Sequence, residues 1–121
     1  FVMYLNKKHA QPDTHAYVDS LLLAAKASEV RALLGKPPTR KELLDKKFEK
    51  ISVSETGLRQ LKLFAKKAGL QGIRKTQFLE EGFADFGDHY VFVVPTPITP
   101  KPKSTVGLGD TISSTAFLSQ P

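Results

Sequence analysis

The 121-residue chain contains no cysteine, so it carries neither a disulfide framework nor a thiolate metal site. Its three histidines, His9, His15 and His89, do not fall at metal-ligand spacing. No apolar stretch approaches the length of a membrane span and no signal-peptide pattern opens the chain, which makes a cytoplasmic protein without a membrane partner the expectation. No internal repeat is present. Acidic residues are in deficit, 12 Asp and Glu against 18 Lys and Arg, for a formal charge of +6 and a pI near 9.6. A basic balance of this kind invites a nucleic-acid reading. The lysines, however, are spread along helical segments rather than gathered beside aromatic residues, so no nucleic-acid partner is expected. Asp85-Phe86-Gly87 spells a kinase-like D-F-G, but neither an H-R-D loop nor a glycine-rich loop accompanies it. It reads as coincidence, with Asp85 and Asp88 beginning and ending a turn.

What the chain does contain is an alternation of helix and strand patterns. Phe1 to Leu5 is apolar and β-prone, consistent with a buried strand. Asp13 or Thr14 can cap a helix in which Tyr17, Leu21, Ala24, Ala25, Ser28 and Ala32 recur at helical spacing, and Gly35 with Pro37-Pro38 stops it after Leu34. Thr39 and Glu42 form a plausible capping box for a short helix through about Phe48, in a charged segment that reads as a solvated insertion. Ile51 to Val53 is a short apolar piece. Ser54 can cap a helix with Leu58, Leu61, Phe64, Ala65 and Ala68 on one face and Arg59, Lys62, Lys66 and Lys67 on the other, ending near Gly69. That pattern suits a helix packed on a sheet better than one lying on a membrane. Gln71 to Gly87 has too many Gly and Glu residues to assign. His89 to Val94 is a nearly continuous apolar run of the kind buried on both faces of a sheet. Pro95, Pro97, Pro100 and Pro102 then enforce an extended connection. The whole reads as part of a layered α/β sheet.

Beyond that connection comes Gly107-Leu108-Gly109-Asp110, where a helix-compatible stretch begins. Glycines let backbone N–H groups approach an anion closely, and an opening helix adds unpaired amides and the positive end of its dipole. A carboxylate at the mouth of such an anion hole can take a proton from an attacking hydroxyl while the amides hold a migrating phosphoryl group. The order of residues therefore suggests phosphoryl transfer to an alcohol. On its own, the segment also fits a plain tight turn with Asp110 as a helix cap.

The same residues resemble the G-x-G-D signature of ribokinase-like sugar kinases. The longer string Lys103-Ser104-Thr105-Val106-Gly107-Leu108-Gly109-Asp110-Thr111-Ile112-Ser113-Ser114 resembles one branch of that superfamily, the ADP-dependent glucokinases and phosphofructokinases. The ATP-using branch more often has Asp where Ser104 stands and Phe where Ile112 stands. Phe1 to Asn6 looks like the family's late strand and Leu21 to Ala27 like the Ala-rich helix after it. Val94-Pro95-Thr96-Pro97-Ile98 resembles the segment that leads past the nucleotide base.

The resemblance implies a ribokinase-like three-layer sheet flanked by helices, with residues 1–121 forming the C-terminal part of a large nucleotide-binding α/β domain. The chain opens without an initiator Met and stops at Pro121 as a helix should be established, so both ends look cut from a larger enzyme. The implied donor is ADP with Mg²⁺, released as AMP, the implied acceptor is glucose or fructose 6-phosphate, and the implied setting is glycolysis. Asp110 is the implied general base. The amides around Gly107, Leu108 and Gly109 hold the phosphoryl group, Thr105 adds a hydroxyl, and Ile98 or a neighbour packs on adenine. The upstream Mg²⁺-associated acidic motif and the sugar-binding lid have no match here, so the piece alone is expected to be inactive. Two alternatives stand beside this one: an ATP-dependent ribokinase-like kinase, and a noncatalytic basic module that binds an acidic partner.

Overall fold

The computed structural model describes residues 1–49 and 53–121. The elements run in the order β1 (Val2–Asn6), α1 (Thr14–Leu34), α2 (Arg40–Leu43), α3 (Glu55–Lys67), α4 (Gly72–Glu81), β2 (Phe83–Asp85), β3 (His89–Val93) and α5 (Leu108–Leu118). Short 3-10 turns occupy Lys7–His9 and Lys46–Phe48. Residues 51 and 52 of the expected apolar piece lie outside the described residues, and Val53 forms an isolated bridge with Pro97.

The apolar run after His89 becomes the central strand. β3 lies between β1 and β2 and pairs antiparallel with both, Val2 facing Val93 on one side and Phe83 facing Phe92 on the other. Side chains alternate across a strand, so consecutive apolar residues need cover on both faces. On one face Phe92 packs with Tyr17, Leu21, Ala24 and Ala25 of α1 and with Ala116 of α5. On the other, Val91 and Val93 pack with Ala65 of α3, Phe78 of α4, Leu70 and Ala84. The result is the layered α/β arrangement expected from the sequence, with helices on both faces of the sheet. Aromatic stacks tie the layers together: Tyr17 on Phe92 at 5.1 Å between centroids, and Phe64 on Phe78 at 5.6 Å.

Local chemistry sets most boundaries. Asp13 caps α1 by accepting from the amides of His15 and Ala16, and Gly35 ends it in the left-handed conformation. All six residues expected on its inner face are buried. Ser54 caps α3 through the Gly57 amide. Gly57 itself sits where α3 meets the proline-rich connection; a Cβ there would lie 2.9 Å from Ser54 Oγ and 3.3 Å from Pro95 Cβ. α3 packs on the sheet as its pattern indicates, although Leu58 remains exposed at the surface.

Three expectations change. The apolar run from Phe1 forms an edge strand and not a buried one: it pairs on one side only, and its Val2 and Tyr4 side chains are exposed. The helix expected from Thr39 to about Phe48 stops at Leu43, because Asp45 accepts from the Lys47 amide and starts a separate 3-10 turn. The unassigned stretch from Gln71 holds α4 and β2. α4 buries only Phe78 and has no side-chain cap, which explains its faint signature. Asp85 does begin a turn, accepting from the Gly87 amide at 2.8 Å and pairing with Lys7 at 2.6 Å, while Asp88 lies beside His89 at the start of β3.

Phe92→Ala should remove the side chain on which one layer rests and lower unfolding stability by about 3–5 kcal/mol, measured by denaturant titration of the intact protein.

Candidate functional site

The connection after β3 returns to the C-terminal end of α1. Lys103 and Ser104 donate their amides to the Ala32 carbonyl at 2.7 and 3.4 Å. Ser104 Oγ then accepts from the Val106 amide at 3.2 Å, and the chain enters a left-handed turn at Gly107, with φ 75°. Gly107 is the N-cap of α5, which places Asp110 at the third helical position and not at the cap. A side chain at 107 is excluded twice: by the positive φ, and because its Cβ would lie 2.8 Å from Arg31 Cζ.

No side chain caps α5. Thr111 is the first helical residue whose amide is satisfied, by Gly107 O at 3.1 Å; among the described residues the amides of Leu108, Gly109 and Asp110 have no acceptor. α1, α2 and α3 all begin on a capping side chain, so α5 differs from them at the point where an anion could bind. A Cβ at Gly109 would meet nothing within 4 Å. Protein packing therefore does not require glycine at 109, and its bareness leaves room above the helix end.

The Asp110 side chain is exposed and makes no hydrogen bond or ion pair among the described residues. It lines a pocket of about 320 Å³ with Arg31, Thr111, Ser114, Pro38 and Leu43. The charged segment after Gly35, read from the sequence as a solvated insertion, thus supplies an apolar wall beside Asp110 through Pro38 and Leu43. That wall is braced by the Thr39 capping box: Glu42 accepts from the Thr39 amide at 2.8 Å and from Lys36 at 3.0 Å. The Thr39 amide first, and Lys36 second, hold the Glu42 carboxyl down to about 2 from an ordinary 4.5.

The remaining expected residues scatter. Leu108 is half-buried, while Thr105 is exposed and its hydroxyl makes no hydrogen bond among the described residues. Ile98 lies elsewhere, in a separate apolar cavity of about 650 Å³ with Pro95, Pro97, Leu61 and Phe64, and shares no wall with Asp110. Sequence reading missed Arg31 and Thr111. Arg31 has no local signature, since its partners at Val106 and Thr111 lie 75 and 80 residues away. No group of three or more His, Cys, Asp or Glu residues able to hold a metal ion occurs among the described residues, and none of their helices is long and apolar enough to cross a membrane.

An uncapped helix behind a glycine turn, with an unpaired carboxylate in its first turn, leaves amide donors and an acidic group together at one helix end. Residues 1–119 match the model of the ADP-specific phosphofructokinase/glucokinase conserved region, and the chain belongs to that family. An ADP-dependent glucose/glucosamine kinase of Pyrococcus abyssi is 35% identical over 102 residues, covering 84% of this chain and 20% of the relative. An ADP-specific phosphofructokinase of Methanosarcina acetivorans is 30% identical over 100 residues, covering 83% and 20%. A solved ADP-dependent kinase in complex with fructose-6-phosphate and ADPbetaS superposes over 98% of this chain and 25% of its own, at TM-score 0.79 and 30% identity. The chain spans about a fifth of the length of the curated relatives it matches.

Two outcomes follow from this geometry. Gly107→Ala should cost about 1–2 kcal/mol or more for the left-handed backbone alone, whereas Gly109→Ala should leave stability unchanged or raise it by about 0.5–1 kcal/mol; paired thermal melts check both. Because the Glu42 carboxyl is depressed, its bracing is complete above its ordinary value of 4.5 and is lost as pH falls through about 2. NMR titration should place Glu42 near 2, and Lys36→Met should move it upward.

Proposed function

We propose that this chain is the C-terminal part of the nucleotide-binding α/β domain of an ADP-dependent sugar kinase. The enzyme transfers the β-phosphoryl group of ADP to a hydroxyl of glucose or fructose 6-phosphate and releases AMP. The observation that carries this reading is the start of α5, where three unsatisfied amides and an unpaired carboxylate share one end of a helix. Membership of the family and the donor in the relatives' names support ADP over ATP. A place in glycolysis and in the cytoplasm goes with the same substrates.

Asp110 accepts the proton of the attacking sugar hydroxyl as the new O–P bond forms. The bond from the β-phosphorus to the bridging oxygen breaks, and that oxygen leaves on AMP. The Leu108 and Gly109 amides, with the end of the α5 dipole, stabilise the charge that spreads over the phosphoryl oxygens. The bareness of Gly109 lets those oxygens come close. The Thr105 hydroxyl is free to add a donor from the preceding connection. The cavity beside Ile98 has the volume of a small-molecule site, and its apolar walls suit a nucleobase. Mg²⁺ would neutralise the diphosphate, but the described residues offer no cluster to hold it.

The full-length protein should phosphorylate glucose or fructose 6-phosphate with ADP, and Asp110→Asn should lower kcat by about 10²- to 10⁴-fold with little change in KM. Turnover with ATP alone would overturn the donor assignment. Near-normal turnover of Asp110→Asn would overturn the base assignment.

A further inference from the structure

We propose that Arg31 is the positioning residue of the phosphoryl cradle: from the last turn of α1 it holds the carbonyls of the Gly107 turn so that the amides of the turn face the ligand. The inference rests on the kinase reading above but concerns a residue outside the G-x-G-D segment.

Arg31 Nε donates to Val106 O at 3.2 Å, and Nη1 donates to Thr111 Oγ1 at 3.2 Å. Thr111 Oγ1 in turn donates to Gly107 O at 3.0 Å. One planar guanidinium thus clamps the residue before the turn directly and the turn's own carbonyl through one buried hydroxyl. In a trans peptide the C=O and the following N–H point in opposite directions. Holding Val106 O toward α1 therefore sets the Gly107 amide away from it, and holding Gly107 O along the helix sets the Leu108 amide toward the helix end. These are the groups a phosphoryl oxygen would meet.

Arg31 is built for this place. It is half-buried, and among the described residues it makes no ion pair with a carboxylate. It sits in the last turn of α1, where the dipole favours a cation, so its guanidinium is free to serve the turn alone. The fit is close enough that a Cβ at 107 would overlap the guanidinium. Lysine, with one nitrogen, keeps the charge but cannot span both partners.

The test uses the full-length enzyme with three variants, Arg31→Met, Arg31→Lys and Thr111→Val. Steady-state kinetics are combined with hydrogen–deuterium exchange across residues 104–112. A misdirected cradle should lower kcat by about 10- to 100-fold in Arg31→Met, with sugar KM changed less than about threefold and faster exchange in the turn. Arg31→Lys should stay within about threefold of Arg31→Met, because the fork and not the charge is required. Thr111→Val should shift both readouts in the same direction by a smaller factor. Wild-type turnover in Arg31→Lys would overturn the proposal in favour of a charge effect. A lowered melting temperature with kcat intact would overturn it in favour of a structural role. If the wild-type enzyme transfers no phosphoryl group to either sugar, the kinase reading falls, and the role in the reaction with it. Exchange then still shows whether Arg31 holds the turn, so the two failures are told apart.

Discussion

The burial of β3 on both faces is the constraint on which the remaining structure depends. Four consecutive apolar residues, Val91 to Val94, leave no face of the strand that can meet water. Phe92 requires α1 and α5 on one side, and Val91 and Val93 require α3 and α4 on the other. The two edge strands complete its hydrogen bonds, and the proline-rich connection can leave only from the end where pairing stops.

That packing brings the candidate site into being. Because α1 and α5 share the Phe92 face, the C-terminal end of α1 lies against the N-terminal end of α5, and helix ends of opposite partial charge adjoin. The Lys103 and Ser104 amides bind the Ala32 carbonyl and so deliver the chain to this place. The turn at Gly107 then opens α5 without a cap. α1, α2 and α3 each use an Asp, Thr or Ser side chain to satisfy their first amides. An uncapped end forfeits about 1 kcal/mol of helix stability, and here it leaves donors free beside Asp110.

The pocket beside Asp110 is assembled from three separate stretches: the end of α1, the segment around Pro38 and Leu43, and the first turns of α5. Only the last holds the G-x-G-D residues. The cavity beside Ile98 is built from α3 and the proline-rich connection, where the bare Cα of Gly57 lets helix and chain approach.

The sequence by itself determined what short-range chemistry governs. The bounds of α1 follow from Asp13 and Gly35, the start of α3 from Ser54, and the double burial of β3 from its unbroken apolar run. The G-x-G-D segment was legible for the same reason, since a glycine turn, unpaired amides and an acidic residue in the first helical turn are neighbours in the chain. α4 escaped notice because its one buried residue, Phe78, leaves no repeating stripe. The break at Asp45 was hidden by a charged composition that suits helix and 3-10 turn alike. Only the tertiary structure decided that Arg31 and Thr111 clamp the turn, that Leu43 walls the pocket, and that Ile98 lies apart from Asp110. Those pairings span tens of residues, and no local preference records which helix end a folded sheet will set against which turn.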